Sequence, residues 1–143
     1  MSNKKSVLIA SDHAGVDFKS KLIELLPEYH WIDLGPNTQD SVDYPDFAKK
    51  LCNQVQKDLL GVLICGSGIG MSISANKVKG IRAAVIENPM SAKLAREHNH
   101  LNVICLGARI IAPQYGSEVV KIFLETQGSA DARHLKRIQK MEL

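Results

Sequence analysis

Five short apolar runs recur along the chain: Val7-Leu8-Ile9-Ala10, Trp31-Ile32-Asp33-Leu34, Val62-Leu63-Ile64-Cys65, Ile81-Arg82-Ala83-Ala84-Val85-Ile86 and Val103-Ile104-Cys105-Leu106. Most lack the apolar-polar alternation of a strand with one wet face, so they read as strands buried on both sides. Strands that alternate with helical segments specify a parallel sheet whose crossover helices cover both faces. The expected architecture is α/β: a three-layer αβα, Rossmann-like sandwich with a five-stranded parallel sheet and a C-terminal helix.

The segments between the runs carry helical periodicity. Phe18, Leu22, Leu25 and Leu26 make one apolar face after Ser11-Asp12, and Phe47, Leu51 and Val55 make another after Tyr44-Pro45. Met71 to Lys77 suits a helix, as do Met90, Ala92, Leu94 and Ala95 after Asn88-Pro89 and Val119, Val120, Phe123 and Leu124 after Pro113. A last helix is expected from Ala130 to Met141, docking through Leu135 and Ile138.

With 143 residues and no linker, repeat or low-complexity tract, the chain reads as one domain over residues 1–143. It has no apolar stretch of about 18 residues and no leader pattern, so a soluble, cytoplasmic protein without a membrane partner is expected. Cys52, Cys65 and Cys105 form neither a C-x-x-C pair nor an even set, which points to a reducing compartment and away from structural zinc. The net charge of +3, from 18 basic and 15 acidic residues interspersed along the chain, does not suggest a nucleic-acid partner.

In open parallel sheets ligands bind at the carboxyl ends of the strands. Here those ends are Ser11-Asp12-His13, Cys65-Gly66-Ser67, Glu87-Asn88 and Gly107-Ala108-Arg109. The most informative is Cys65-Gly66-Ser67-Gly68-Ile69-Gly70, where a nucleophile or base ends a buried strand and glycines lead into a helix. Such a loop turns tightly, and the free N–H groups at its helix start favour an anion. The G-x-G-x-G spacing is neither the G-x-G-x-x-G dinucleotide fingerprint nor a Walker loop. The plainer alternative is a strand-to-helix turn behind an inert buried cysteine.

Other residues suit the same chemistry. Asp12 is either a helix cap or a site carboxylate, and His13 shares its strand end. His98 is a candidate general acid or base near a helix C-terminus, where the helix dipole alone also favours histidine. His98 and His100 are two apart, on different helical faces, so no metal site is expected. Arg133 and Arg137, four apart, can fork around a phosphate or belong to a solvated basic helix with His134, Lys136 and Lys140. Arg109, just past the fifth strand, is a third candidate for the anion.

Taken in order, Asp12-His13, Cys65 to Gly70, Ser74-Ala75-Asn76-Lys77, Gly80-Ile81-Arg82, His98-Asn99, Gly107-Ala108-Arg109 and Arg133 resemble the ribose-5-phosphate isomerase B (ribose/galactose isomerase) family over essentially the whole chain. The resemblance implies interconversion of ribose 5-phosphate and ribulose 5-phosphate in the pentose phosphate pathway, without metal or organic cofactor. It implies a homodimer or dimer of dimers with active sites shared between subunits. Cys65 would move the proton between C1 and C2, and Ser67 would assist transfer between the sugar oxygens. His98 would open the furanose ring with help from Asp12, and Asn99 would contact sugar hydroxyls. His13, Arg133, Arg137 and Arg109, the last from either subunit, would hold the phosphate. Some relatives use a glutamate a few residues after a serine; no acid lies between Met71 and Ala75, so Cys65 is the expected base here.

That chemistry passes through an enediolate, whose charge the backbone N–H groups of Gly66, Ser67, Gly68, Ile69 and Gly70 are placed to stabilise. A cysteine base must act as a thiolate, the form that a helix N-terminus favours. Two competing readings stand beside this one. One is an isomerase of a six-carbon sugar phosphate, such as allose or galactose 6-phosphate. The other is a non-catalytic nucleotide-binding module in which the glycine loop takes phosphate and Glu87 a ribose hydroxyl.

Overall fold

The structure is a computed structural model that describes residues 3–142, so Met1, Ser2 and Leu143 of the expected domain lie outside the described residues. Five strands, β1 (Ser6–Ser11), β2 (His30–Asp33), β3 (Gly61–Cys65), β4 (Ala83–Val85) and β5 (Val103–Gly107), form one sheet in the order β2-β1-β3-β5-β4. Every pairing is parallel. Six α-helices connect or follow them: α1 (Val16–Leu25), α2 (Tyr44–Cys52), α3 (Ile69–Asn76), α4 (Pro89–Asn99), α5 (Pro113–Glu125) and α6 (Ala132–Met141).

The three inner strands β1, β3 and β5 divide their side chains between two cores. Val7, Ile9, Val62, Ile64, Ile104 and Leu106 enter one, with Phe18 and Leu22 of α1 and Val120 and Phe123 of α5. Leu8, Ala10, Leu63, Cys65, Val103 and Cys105 enter the other, with Leu51 of α2 and Met71 of α3. Both faces are dry, which is why these runs show no polar alternation in the sequence. The edge strands β2 and β4 are only partly buried.

Several boundaries differ from the sequence expectation. Strand β4 starts at Ala83 because the Ile81 N–H turns back to the Val78 carbonyl, at 3.2 Å. Val55 lies beyond α2, since the chain turns after Cys52 and pairs Gln56 with Leu59. Helix α6 begins at Ala132, where the Asp131 carboxylate accepts the Arg133 N–H at 2.8 Å. It docks through His134 and Ile138, each 9% exposed, whereas Leu135 is 37% exposed. Four-residue spacing puts the first two on one stripe.

Among the described residues, no helix is long and apolar enough to cross a membrane.

Candidate active site

Strands β1 and β3 are neighbours whose crossovers leave in opposite directions, to β2 on one side and to β4 on the other. Their carboxyl ends therefore frame the topological switch point of the sheet. Ser11 is in register with Ile64, and the Asp12 N–H donates to the Ile64 carbonyl at 3.0 Å, so Asp12 and Cys65 leave the sheet side by side.

The loop after β3 is shaped by its glycines. Gly68 has φ of +81° and lies so close to β5 that an added Cβ would stand 3.0 Å from the Leu106 carbonyl carbon. This turn aims the Gly68 N–H at Cys65 Sγ, 3.1 Å away, a donor that stabilises negative charge on sulfur. Ser67 Oγ accepts the Ile69 N–H at 3.2 Å at the start of α3. Gly68→Ala is expected to destabilise the fold by about 1–3 kcal/mol through the left-handed backbone, measured as a lower denaturation midpoint.

The ladder between β3 and β5 continues past the strands. Ala108 and Arg109 donate their N–H groups to the carbonyls of Cys65 and Gly66 at 2.8 and 2.9 Å. Arg109 thereby lays its guanidinium on Gly66, where an added Cβ would come within 2.9 Å of Nη1. The result is an open cleft of about 480 Å³ lined by Asp12, Tyr44, Cys65, Ser67, Arg109 and Ile110 among others. It combines a cysteine sulfur, backbone donors and a guanidinium. Burial pushes the Cys52 thiol up to about 12 and that of Cys105 well above its ordinary value, so those two remain thiols in the core.

Asp12 caps a turn and also lines the cleft. Its Oδ1 accepts the Gly15 N–H at 3.1 Å, capping the 3₁₀ turn His13–Gly15, while the residue lines the cleft. His13 Nδ1 accepts the Val42 N–H at 3.1 Å, which leaves Nε2 to carry the ring proton toward an acceptor.

The remaining sequence candidates are not brought to Cys65 within one chain. Helix α4 starts at the carboxyl edge of the sheet and runs back for 11 residues, roughly 16 Å, to His98 and Asn99. There the Asn99 carbonyl accepts from Nε of Arg82, which precedes β4, so this end of α4 lies at the amino edge. His98 and Asn99 are exposed, as are Arg133 and Arg137, which with Lys136 and Lys140 line a basic groove of about 360 Å³ on α6. The one-face spacing of the arginines holds; their distance from Cys65 was not legible in the sequence.

Two residues were missed. Tyr44, the first residue of α2, stands over the glycine loop, its ring 2.5 Å from where a Cβ on Gly70 would be. No local sequence signal distinguishes it from a helix-start residue. His134 stacks on His98 with ring centroids 4.3 Å apart and planes 13° apart. Burial, then the positive charges of His98, Arg133 and Arg137, hold His134 below its usual value, against the opposing pull of Asp131. A depressed histidine stabilises the fold above its unfolded value of about 6.5 and loses that contribution as pH falls through its folded value. Thermal stability should therefore fall below about pH 6.5, and fall less in His134→Gln, as read by melting temperature against pH.

A second cleft, of about 680 Å³, lies at the opposite edge and includes Lys5, Arg82, Arg96 and His100. Three of its cations are already engaged: Lys5 with the Leu124 carbonyl at 2.6 Å, Arg96 with the Thr126 carbonyl at 3.1 Å, Arg82 with the Asn99 carbonyl at 3.0 Å. They satisfy the C-terminal ends of α4 and α5, whose dipoles also repel anions.

The model of the Ribose/Galactose Isomerase family matches residues 7–141. The chain belongs to this family. The ribose/galactose isomerases similar to it include a probable ribose-5-phosphate isomerase B of Mycoplasma pneumoniae, 41% identical over 99% of this chain and 95% of that protein. The ribose 5-phosphate isomerase B of Anaplasma phagocytophilum superposes with a TM-score of 0.91 at 43% identity, covering 96% of this chain and 97% of that one. The Mycoplasma genitalium ribose-5-phosphate isomerase B with bound ribulose-5-phosphate superposes with a TM-score of 0.88 at 39% identity, over 96% of this chain and 93% of that one. The nucleotide-module reading gives way to an isomerase: these relatives are enzymes of sugar phosphates, and the matches span nearly the whole chain rather than the glycine loop alone.

Proposed function

We propose that this ribose/galactose isomerase interconverts D-ribose 5-phosphate and D-ribulose 5-phosphate through an enediolate, with Cys65 as the base. The observation that carries the reading is Cys65 Sγ, hydrogen-bonded to the Gly68 N–H at 3.1 Å at the carboxyl end of β3 and facing a cleft that also holds Asp12 and Arg109. The thiolate takes the proton from C2 of the open-chain aldose, and electrons move toward the C1 carbonyl oxygen, leaving the enediolate. The same sulfur returns the proton to C1, while the Ser67 hydroxyl relays a proton between the two oxygens. Backbone N–H groups of the glycine loop stabilise the intermediate's charge. His98 opens the furanose ring with Asp12, Asn99 holds hydroxyls, and His13, Arg109, Arg133 and Arg137 hold the phosphate, whose remote binding energy orients the reacting carbons.

These roles require a second copy of the chain, because His98, Asn99, Arg133 and Arg137 lie away from the cleft of their own subunit. We propose a homodimer, alone or in a dimer of dimers, in which α4 and α6 of one subunit complete the cleft of the other. Exposed apolar residues support such a contact: Ile69 and Ile73 of α3 (each 57%), Met90 of α4 (64%) and Ile110 beside the cleft (55%). The chain acts as one domain without metal or organic cofactor, and its three free cysteines favour a cytoplasmic setting.

The test is ketose formation from ribose 5-phosphate with EDTA present, run beside allose and galactose 6-phosphates. Rapid EDTA-resistant turnover of the pentose is the expected outcome. Turnover confined to a hexose phosphate moves the substrate and keeps the chemistry; turnover of neither overturns the reading.

A further inference from the structure

The loop between β2 and α2, residues 34–43, contains no helix or strand, yet it is tied at four places to one short stretch of chain, Ser11 to Lys19. The Ser11 N–H donates to the Gly35 carbonyl at 3.0 Å. Lys19 Nζ donates to the Pro36 carbonyl at 2.6 Å, and Gln39 Nε2 donates to Asp17 Oδ1 at 2.9 Å. The Val42 N–H donates to His13 Nδ1 at 3.1 Å. The loop thus leaves the sheet under one set of bonds and ends on the imidazole of a site residue.

Lys19 is the unusual member. It is 1% exposed, between the core residues Phe18 and Leu22 on α1. A buried ammonium is costly unless excellent partners compensate it, and an apolar side chain would fill such a position more cheaply. Its partners all belong to the base of the loop. Besides the Pro36 carbonyl, Nζ lies 2.8 Å from Asp33 Oδ1, and the same oxygen accepts the Gly35 N–H at 2.9 Å. One buried cation therefore holds both the last residue of β2 and the first turn of the loop. We propose that Lys19 is a positioning residue for substrate phosphate: it fixes the 34–43 loop so that the Val42 N–H holds His13 Nδ1, leaving Nε2–H aimed at the anion. This rests on the reading that His13 binds phosphate.

The experiment measures KM and kcat for ribose 5-phosphate, and inhibition by inorganic phosphate, in wild type, Lys19→Met, His13→Ala and the double variant. Lys19→Met should raise KM and the phosphate inhibition constant together, on the order of tenfold, with kcat nearly unchanged. The double variant should be no worse than His13→Ala alone, because both changes remove one interaction. If His13→Ala weakens phosphate binding and Lys19→Met does not, or if the two effects add, the Lys19 inference is wrong while the His13 assignment stands. No effect from His13→Ala overturns both. Should Lys19→Met fail to fold, as judged by circular dichroism, Lys19→Met/Asp33→Asn removes both charges and takes its place. If that variant also fails to fold, Lys19 is a requirement of the fold, and the positioning role is overturned.

Discussion

Cys65→Ala is expected to lower kcat by at least about 10²–10⁴-fold, the usual contribution of a positioned general base, while phosphate inhibition stays close to wild type. The split follows from the geometry. Sγ occupies the end of β3 and, among the described residues, accepts only the Gly68 N–H, so its removal would delete the proposed proton carrier and leave the glycine backbone and Arg109 in place. Cys52 and Cys105 cannot substitute, because burial keeps both as thiols inside the sheet-facing core. Cys65→Ser is expected to recover little, since a hydroxyl is far less acidic than a thiol. The measurement is steady-state isomerisation of ribose 5-phosphate by each variant, with inorganic phosphate as the competitive probe. Substantial turnover by Cys65→Ala would remove Cys65 from the role of base.

The second large effect concerns the proposed division of the site between two subunits. Cys65→Ala and Arg133→Ala/Arg137→Ala are each expected to be nearly inactive as homodimers, one lacking the base and the other the phosphate clamp. Mixed one to one and allowed to exchange subunits, they should regain activity. A hybrid dimer has one site carrying both defects and one carrying neither, so about a quarter of all sites should be intact in the mixture. If base and arginines instead served the same subunit's site, the mixture would give only the sum of its parents. Activity before and after exchange separates the two arrangements, and single-variant samples taken through the same exchange control for refolding.

Much of the fold was legible in the chain because its signals are local. Buried runs such as Val62-Leu63-Ile64-Cys65 have no polar alternation, and Asn88-Pro89 and Pro113 mark helix starts that the structure reproduces at α4 and α5. The cleft was legible for the same reason: Cys65 ends a strand, Asp12, Ser67 and Arg109 lie within two residues of a strand end, and parallel strands place all their carboxyl ends at one edge. Where the expectation slipped, a tertiary bond decided the matter. Leu135 gave way to His134 as a docking residue because the ring of His98, on another helix, supplied a stacking partner.

By itself, then, the sequence determined the parallel α/β architecture, the carboxyl-edge location of the cleft and the identity of the sulfur within it, since all three depend on residues near one another in the chain. Only the tertiary structure decided which candidates share a cleft. Helix α4 carries His98 and Asn99 to the far edge, away from Cys65, because a helix that links parallel strands must run antiparallel to them. The same is true of Lys19, which no local signal in the chain singles out and which the structure buries beside Phe18 and Leu22. Its ammonium is accommodated there only because Asp33 and the Pro36 carbonyl, from a separate strand and loop, fold over it.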